Sequence, residues 1–216
     1  QSCSVEPDTE FKTEELLETF GTDGIGFIHD MYSEPVAFNK IQKYFLEHSR
    51  WGIPAIFTGE ALHGISGVRG TVFPIPLNFG ATFDPNLVRR VGEAIGAETR
   101  ALGMHEILAP NLDVAREPRW GRIEETFGED TYLSSRMAAA IISGEQKGDV
   151  SRPDAVVAEP KHYCVHGIAE AGTNCSHARA GRREVESCYL PVFEAGIREG
   201  GAYNVMVSYN SVDGDP

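Results

Sequence analysis

Lys161 and His162 stand side by side just after an apolar run, Ala155-Val-Val-Ala158, that reads as a buried strand. His166-Gly167 follows closely. A lysine–histidine pair at a strand end sets two strong hydrogen-bond donors at the mouth of an α/β fold, where such folds hold their ligands. The pattern of an apolar strand running into polar, Gly-rich sequence recurs along the chain. Pro54-Ala-Ile-Phe57 leads to Thr58-Gly-Glu60-Ala-Leu-His63-Gly64, and Ile107-Leu-Ala109 leads to a loop with Asp113, Arg116, Arg119, Trp120 and Arg122. Asn204-Val-Met-Val207 leads to Ser208-Tyr209-Asn210. If these loops open on one face, a carboxylate, an arginine, a lysine, a histidine and a tyrosine converge on one cavity. That inventory suits a polyol: a carboxylate accepts from hydroxyls, while Lys and Arg donate to hydroxyl oxygens. Trp120 and Tyr209 offer apolar surface to a sugar ring.

Blander roles compete at each position. Glu60 could serve as a helix N-terminal acid, but the first polar position after a buried strand favours the pocket. Arg116, Arg119 and Arg122 cannot all grip one small ligand. One or more of them should brace the loop through Glu117, Glu124, Glu125, Glu129 or Asp130. Lys161 could neutralise Glu159. His63, His166 and His177 read as loop hydrogen-bonders rather than catalysts.

These loops need elements to carry them. Glu6 to Phe20 is acidic with helical spacing of Phe11, Leu16, Leu17 and Phe20, which reads as a surface helix. Gly24-Ile-Gly-Phe-Ile28 reads as a strand and Pro35–Ser49 as a helix. A helix over Pro85–Leu102 is predicted from Asp84 as N-cap, Pro85 at the first position and Gly103 just past the end. Thr131–Gln146 and Arg182–Glu199 are the remaining helices, the latter closed by Gly200-Gly201. Strands alternating with helices of this length mean parallel β/α units. No G-x-G-x-x-G follows the first strand, so a dinucleotide-binding sheet is disfavoured. The fold class expected is α/β, a (β/α)8 TIM-type barrel that is incomplete in this chain, with about five of eight strands. Residues 1–23 form an acidic helical lead-in and residues 24–216 the partial barrel.

Composition narrows the partners. With 41% hydrophobic and 24% charged residues the chain is globular, and its net charge is −13. Such acidity argues against nucleic acid and anionic membranes, and no apolar run is long enough to span a bilayer. The opening Gln1-Ser-Cys-Ser lacks the Met, basic stretch and apolar core of a signal peptide, and is expected to begin a mature or trimmed chain. Cys3, Cys164, Cys175 and Cys188 match no zinc pattern. Free buried thiols are favoured over a Cys164–Cys175 bond. No metal and no cofactor is expected.

The same residues resemble glycoside hydrolase family 3, the β-glucosidase and β-xylosidase group. Glu60-Ala-Leu-His-Gly64 is similar to its D/E-A-x-H-G motif, and Phe83-Asp-Pro85 to its A-T-W/F-D-P segment. Asp113-Val-Ala-Arg-Glu-Pro-Arg-Trp-Gly-Arg-Ile-Glu-Glu-Thr-Phe-Gly-Glu-Asp130 resembles its long and specific D-x-x-R-D-P-R-W-G-R…E-x-F/Y-G/S-E-D signature. Lys161-His162-Tyr163 matches K-H-F/Y, and Val205-Met-Val-Ser-Tyr-Asn-Ser-Val-Asp-Gly214 is similar to V-M-x-x-Y-N-x-x-x-G. The resemblance runs from about residue 24 to the last residue.

It implies a retaining, exo-acting β-glycosidase that removes terminal β-linked sugars, located outside the cell or in the periplasm. Glu60, Arg122, Lys161 and His162 would bind hydroxyls of the nonreducing-end sugar, and Tyr209 would sit near the reacting carbon. The family's nucleophile Asp lies in an S-D-W-like motif and its acid/base Glu in a following domain. Neither motif occurs before Pro216, so no catalytic residue is assigned within this chain. The partners implied are a β-glycoside or oligosaccharide and the rest of the same enzyme. Two departures stand out. An Arg that many members carry soon after K-H-F is absent, leaving Asn174 or His177 in its place. Glu60 stands where many β-glucosidases have Asp, which leaves glucose or xylose open. A β-N-acetylglucosaminidase of the same family is a further reading, because Pro160–Gly167 partly matches K-H-F-x-G-H-G. Asn174-Cys-Ser-His177, however, lacks the Asp-x-His spacing of that group. A non-catalytic sugar-binding fragment is the alternative of another class.

Overall fold

The computed structural model describes residues 13–65 and 70–216. Strands β1 (Phe27–His29), β2 (Ile56–Gly59), β3 (Glu106–Ile107) and β4 (Val157–Ala158) form one parallel sheet in chain order. Phe27 pairs with Ile56, Thr58 with Glu106, and Glu106 with Val157. Helix α1 (Thr13–Phe20) precedes β1, and α2 (Pro35–His48) links β1 to β2. The short α3 (Pro76–Ala81) and the long α4 (Pro85–Leu102) link β2 to β3. Helix α5 (Thr131–Gln146) links β3 to β4. After β4 come α6 (Arg182–Glu184), a π turn (Val185–Tyr189) and α7 (Leu190–Arg198).

Side chains alternate across the strands, and the two faces differ. Ile28, Phe57, Ile107 and Ala158 are buried in the apolar cores beneath the helices. Phe27 and Ile56 lie largely exposed on the opposite face. With Glu106, Val157, Tyr203 and Asn204 they line an open cavity of about 410 Å³. Within this chain one face is covered, and the other is the concave side of a partial barrel.

Local chemistry sets the long helices. The Asp84 carboxylate accepts from the amides of Asn86 and Leu87, both at 3.0 Å. Pro85 occupies the first turn and Gly103 closes α4 at φ 110°, where a side chain would be strained. Asp130 caps α5 by accepting from Leu133 N at 2.7 Å. α4 and α5 pack against each other through glycines. A Cβ at Gly92 would lie 2.5 Å from Ile141 O, and one at Gly96 2.7 Å from Glu145 O. Only hydrogen side chains allow that approach.

Several expectations shift. The first strand falls at Phe27–His29 rather than 24–28, and the Arg182–Glu199 helix is interrupted by the π turn. Asn204–Val207 is not a strand. It pairs through a single parallel bridge, Tyr163 with Val207, because its contacts fall beyond β4, at the turn where Lys161 and His162 sit. The predicted Glu6–Phe20 helix is seen from Thr13 onward, and its first part, with Cys3, lies outside the described residues. Cys164, Cys175 and Cys188 are free thiols, but none is buried as expected: Cys164 and Cys188 are partly buried and Cys175 is exposed.

Candidate functional site

Because the sheet is parallel, every strand delivers its following loop to the same end. Glu60 follows β2, Asn111 and Asp113 follow β3, and Lys161 and His162 follow β4. Beyond the strands the backbone continues to pair. Lys161 N donates to Pro110 O at 2.9 Å, and Tyr163 N donates to Met206 O at 2.8 Å. The Lys161–His162 peptide is cis.

Lys161 is almost wholly buried, and its Nζ donates to both oxygens of Glu60, at 2.7 and 2.8 Å. The alternative pairing with Glu159 does not form. Burial pushes the Glu60 carboxyl above the ordinary range, while Lys161 pulls it back down. The Glu60 amide donates to Tyr32 Oη at 2.9 Å, and Tyr32 Oη donates to Asp30 at 3.2 Å. The loop after β1 thus fixes the end of β2.

Arg122 makes a two-pronged ion pair with Glu125, both contacts at 2.8 Å. Burial opposes charge on both groups. The pair overcomes it, holding Glu125 below its usual value and Arg122 above. Asn111 Nδ2 donates to the same carboxylate at 3.3 Å. Arg119 pairs with Glu117, so both arginines brace the loop through acids named in the sequence reading.

His162 is buried, with Nδ1 2.8 Å from Asp113 Oδ2. Burial pushes the imidazole down to about 3, so it is neutral. The His162 ring lies 4.8 Å from His166 and 5.2 Å from Tyr209. Tyr209 is more than half exposed, and its hydroxyl is tethered by a weak 3.7 Å contact with Met206 Sδ. The five residues singled out in the sequence are therefore brought together. Glu60 and Arg122 present the accessible polar atoms, and Lys161 and His162 lie behind them.

Other expectations divide: Trp120 departs from its reading, while His63 and His177 make the loop hydrogen bonds expected of them. Trp120 is buried edge-on against His166 at 5.1 Å, so it offers no open face to a ring. Its Nε1 donates to Asn174 Oδ1 at 3.1 Å, which occupies Asn174 structurally. His177 meets Ser211 Oγ at 3.2 Å beside a separate cavity of about 390 Å³. His63 bonds Phe73 O as a loop histidine. His166 is fully buried, and the Asn210 side chain is the hydrogen-bonding group that acts on its ring, in a contact short of full hydrogen-bond geometry. Sequence reasoning passed over Tyr32, Asn111, Asp113 and Glu125 as site residues. Asp113 and Glu125 stood inside the long signature, whereas nothing local marked Tyr32. Among the described residues no cluster of His, Cys, Asp and Glu could hold a metal ion.

Residues 14–216 match the glycosyl hydrolase family 3 N-terminal domain. The chain belongs to this family. Among curated family 3 relatives, a beta-xylosidase of Formosa agariphila is 37% identical over 177 residues, covering 78% of this chain and 24% of its own length. A periplasmic beta-glucosidase of Salmonella typhimurium is 34% identical, covering 82% and 22% respectively. The crystal structure of a beta-glucosidase from Listeria innocua in complex with isofagomine superposes with a TM-score of 0.83 at 37% identity. That match covers 91% of this chain and 27% of the other. The chain thus spans about a quarter of the length of the family 3 proteins it matches, and its sheet and helices are part of a TIM-type barrel.

Proposed function

We propose that this chain forms the hydroxyl-binding wall of a retaining, exo-acting β-glycosidase of family 3, acting on terminal β-linked glucose or xylose. The observation that carries the reading is the Glu60 carboxylate clasped by buried Lys161 beside the Glu125-braced Arg122. A preorganised acceptor next to a preorganised donor suits vicinal hydroxyls, each of which both gives and takes a hydrogen bond. Such contacts strengthen as a sugar ring distorts, and so favour the transition state over the ground state. Tyr209 lies at the exposed rim, close to the reacting carbon. Two further carboxylates, a nucleophile and an acid/base, complete retaining hydrolysis. In this reading they come from other parts of a protein of the relatives' size.

Residues 24–216 are read as the barrel portion, with 1–23 leading into it. The beta-xylosidase relative keeps xylose alongside glucose as substrate sugar. A periplasmic or extracellular location follows by analogy with the periplasmic beta-glucosidase relative. Among the described residues no helix is long and apolar enough to cross a membrane. Aryl β-glucosides, β-xylosides and N-acetyl-β-glucosaminides assayed against the full-length protein test the proposal. Hydrolysis of the first or second is expected. Preference for the third, or turnover of none, would overturn it.

A further inference from the structure

Asp113 stands out because its carboxyl is fully buried yet touches a side chain at the centre of the site. One oxygen, Oδ2, meets His162 Nδ1 at 2.8 Å, and both side chains are inaccessible to water. The other oxygen and His162 Nε2 have no hydrogen-bond partner among the described residues. Asp113 is itself held in place, since its amide donates to Asn111 Oδ1 at 2.8 Å. The loosely tethered Tyr209 ring lies against His162, on a residue that is more than half exposed.

We propose that Asp113 is a positioning residue that fixes the tautomer of His162, so that Nδ1 carries the proton and Nε2 is left as an acceptor for a ligand hydroxyl. A neutral imidazole has one donor and one acceptor nitrogen, and the partner of one decides the role of the other. Nδ1–H donating to a carboxylate leaves Nε2 bare. Lys161 and Arg122 can only donate, so without this arrangement Glu60 would be the one acceptor among the four. Burial pushes Asp113 up to about 7, while His166, Arg122 and the His162 amide favour its ionised form. pH 8, above that value, favours the carboxylate. The exposed Tyr209 ring, 5.2 Å from that of His162, is the neighbour a ligand hydroxyl would have to displace to reach Nε2. The sugar half of this inference rests on the function proposed above, whereas the tautomer does not.

The test is nitrogen-15 NMR of histidine-labelled full-length protein at pH 8, as wild type and as Asp113→Asn. Wild-type His162 is expected to carry its proton on Nδ1. In Asp113→Asn the amide can donate to Nδ1, and the proton is expected to move to Nε2. With it, kcat/KM on the preferred aryl glycoside is expected to fall about 10- to 100-fold. Discrimination between a substrate hydroxyl and fluorine, which cannot donate, should narrow at the contacted position. A wild-type proton on Nε2 overturns the proposal whether or not the variant folds. An unchanged hydroxyl-to-fluorine ratio in a folded variant with a switched tautomer also overturns it. A wild type with the expected tautomer that hydrolyses no glycoside supports the Asp113–His162 assignment and sinks the sugar site instead.

Discussion

Two carboxyl groups are buried in this chain to the same degree, and they do opposite things. Asp113 lies at the polar end of the sheet, in contact with His162 and in the field of Arg122. Glu145 lies on α5, whose backbone is pressed against α4 at Gly96, and neither of its carboxyl oxygens has a partner among the described residues. Burial pushes both above the ordinary carboxylate range. The difference lies in the company each keeps. An acid with oriented donors nearby can hold a charge and direct a neighbour, whereas an acid with none is kept protonated by desolvation. A shifted pKa therefore does not mark a functional residue unless geometry gives the group something to act upon.

The sharpest challenge to this contrast is Lys161→Ala. It removes both hydrogen bonds to Glu60, and a charge-assisted bond is worth about 1.5–3 kcal/mol. In the full-length protein kcat/KM is expected to drop by more than about tenfold, measured on aryl β-glycosides. Wild-type kinetics in that variant would remove Lys161 from the site.

Gly96→Ala probes the other region. The added methyl meets Glu145 O at 2.7 Å, so α4 and α5 must part, at a cost of about 1–3 kcal/mol. Chemical denaturation should register that loss while KM for the glycoside stays unchanged. A change in KM would mean that the helix seam communicates with the site.

Glu145→Gln is the gentlest test, and its effect lies in pH dependence. A carboxyl whose folded pKa is raised contributes stability that is complete below its unfolded value. That contribution drains away as pH rises through the folded pKa. The unfolded value for Glu145 is about 4.5. Glutamine does not ionise, so the variant's stability relative to wild type should rise from pH 5 to pH 8, with activity within about twofold of wild type. A parallel pair of stability curves would show that Glu145 is not the source of the slope. His162 works in the opposite sense. Its depressed pKa gives stability that is present above about 6.5 and lost as pH falls towards about 3.

Much of this was legible in the chain because the cause was local. Asp84, Pro85 and Gly103 mark both ends of α4 within the helix itself, and α5 is found over the expected Thr131–Gln146. Lys161, His162 and Glu60 were found because polar residues directly after buried strands emerge at one end of a parallel sheet. Trp120 misled because residue type gives ring size but not which way the ring is packed.

What the sequence determined by itself was the inventory: which residues stand at strand ends, and that their loops share a face. Only the tertiary structure decided the pairings. Lys161 takes Glu60, 101 residues away, rather than its near neighbour Glu159. His162 takes Asp113, which stands at the end of the neighbouring strand. Strand register sets those distances, and register is fixed by the packing of helices on one face of the sheet. No local run of residues carries that information.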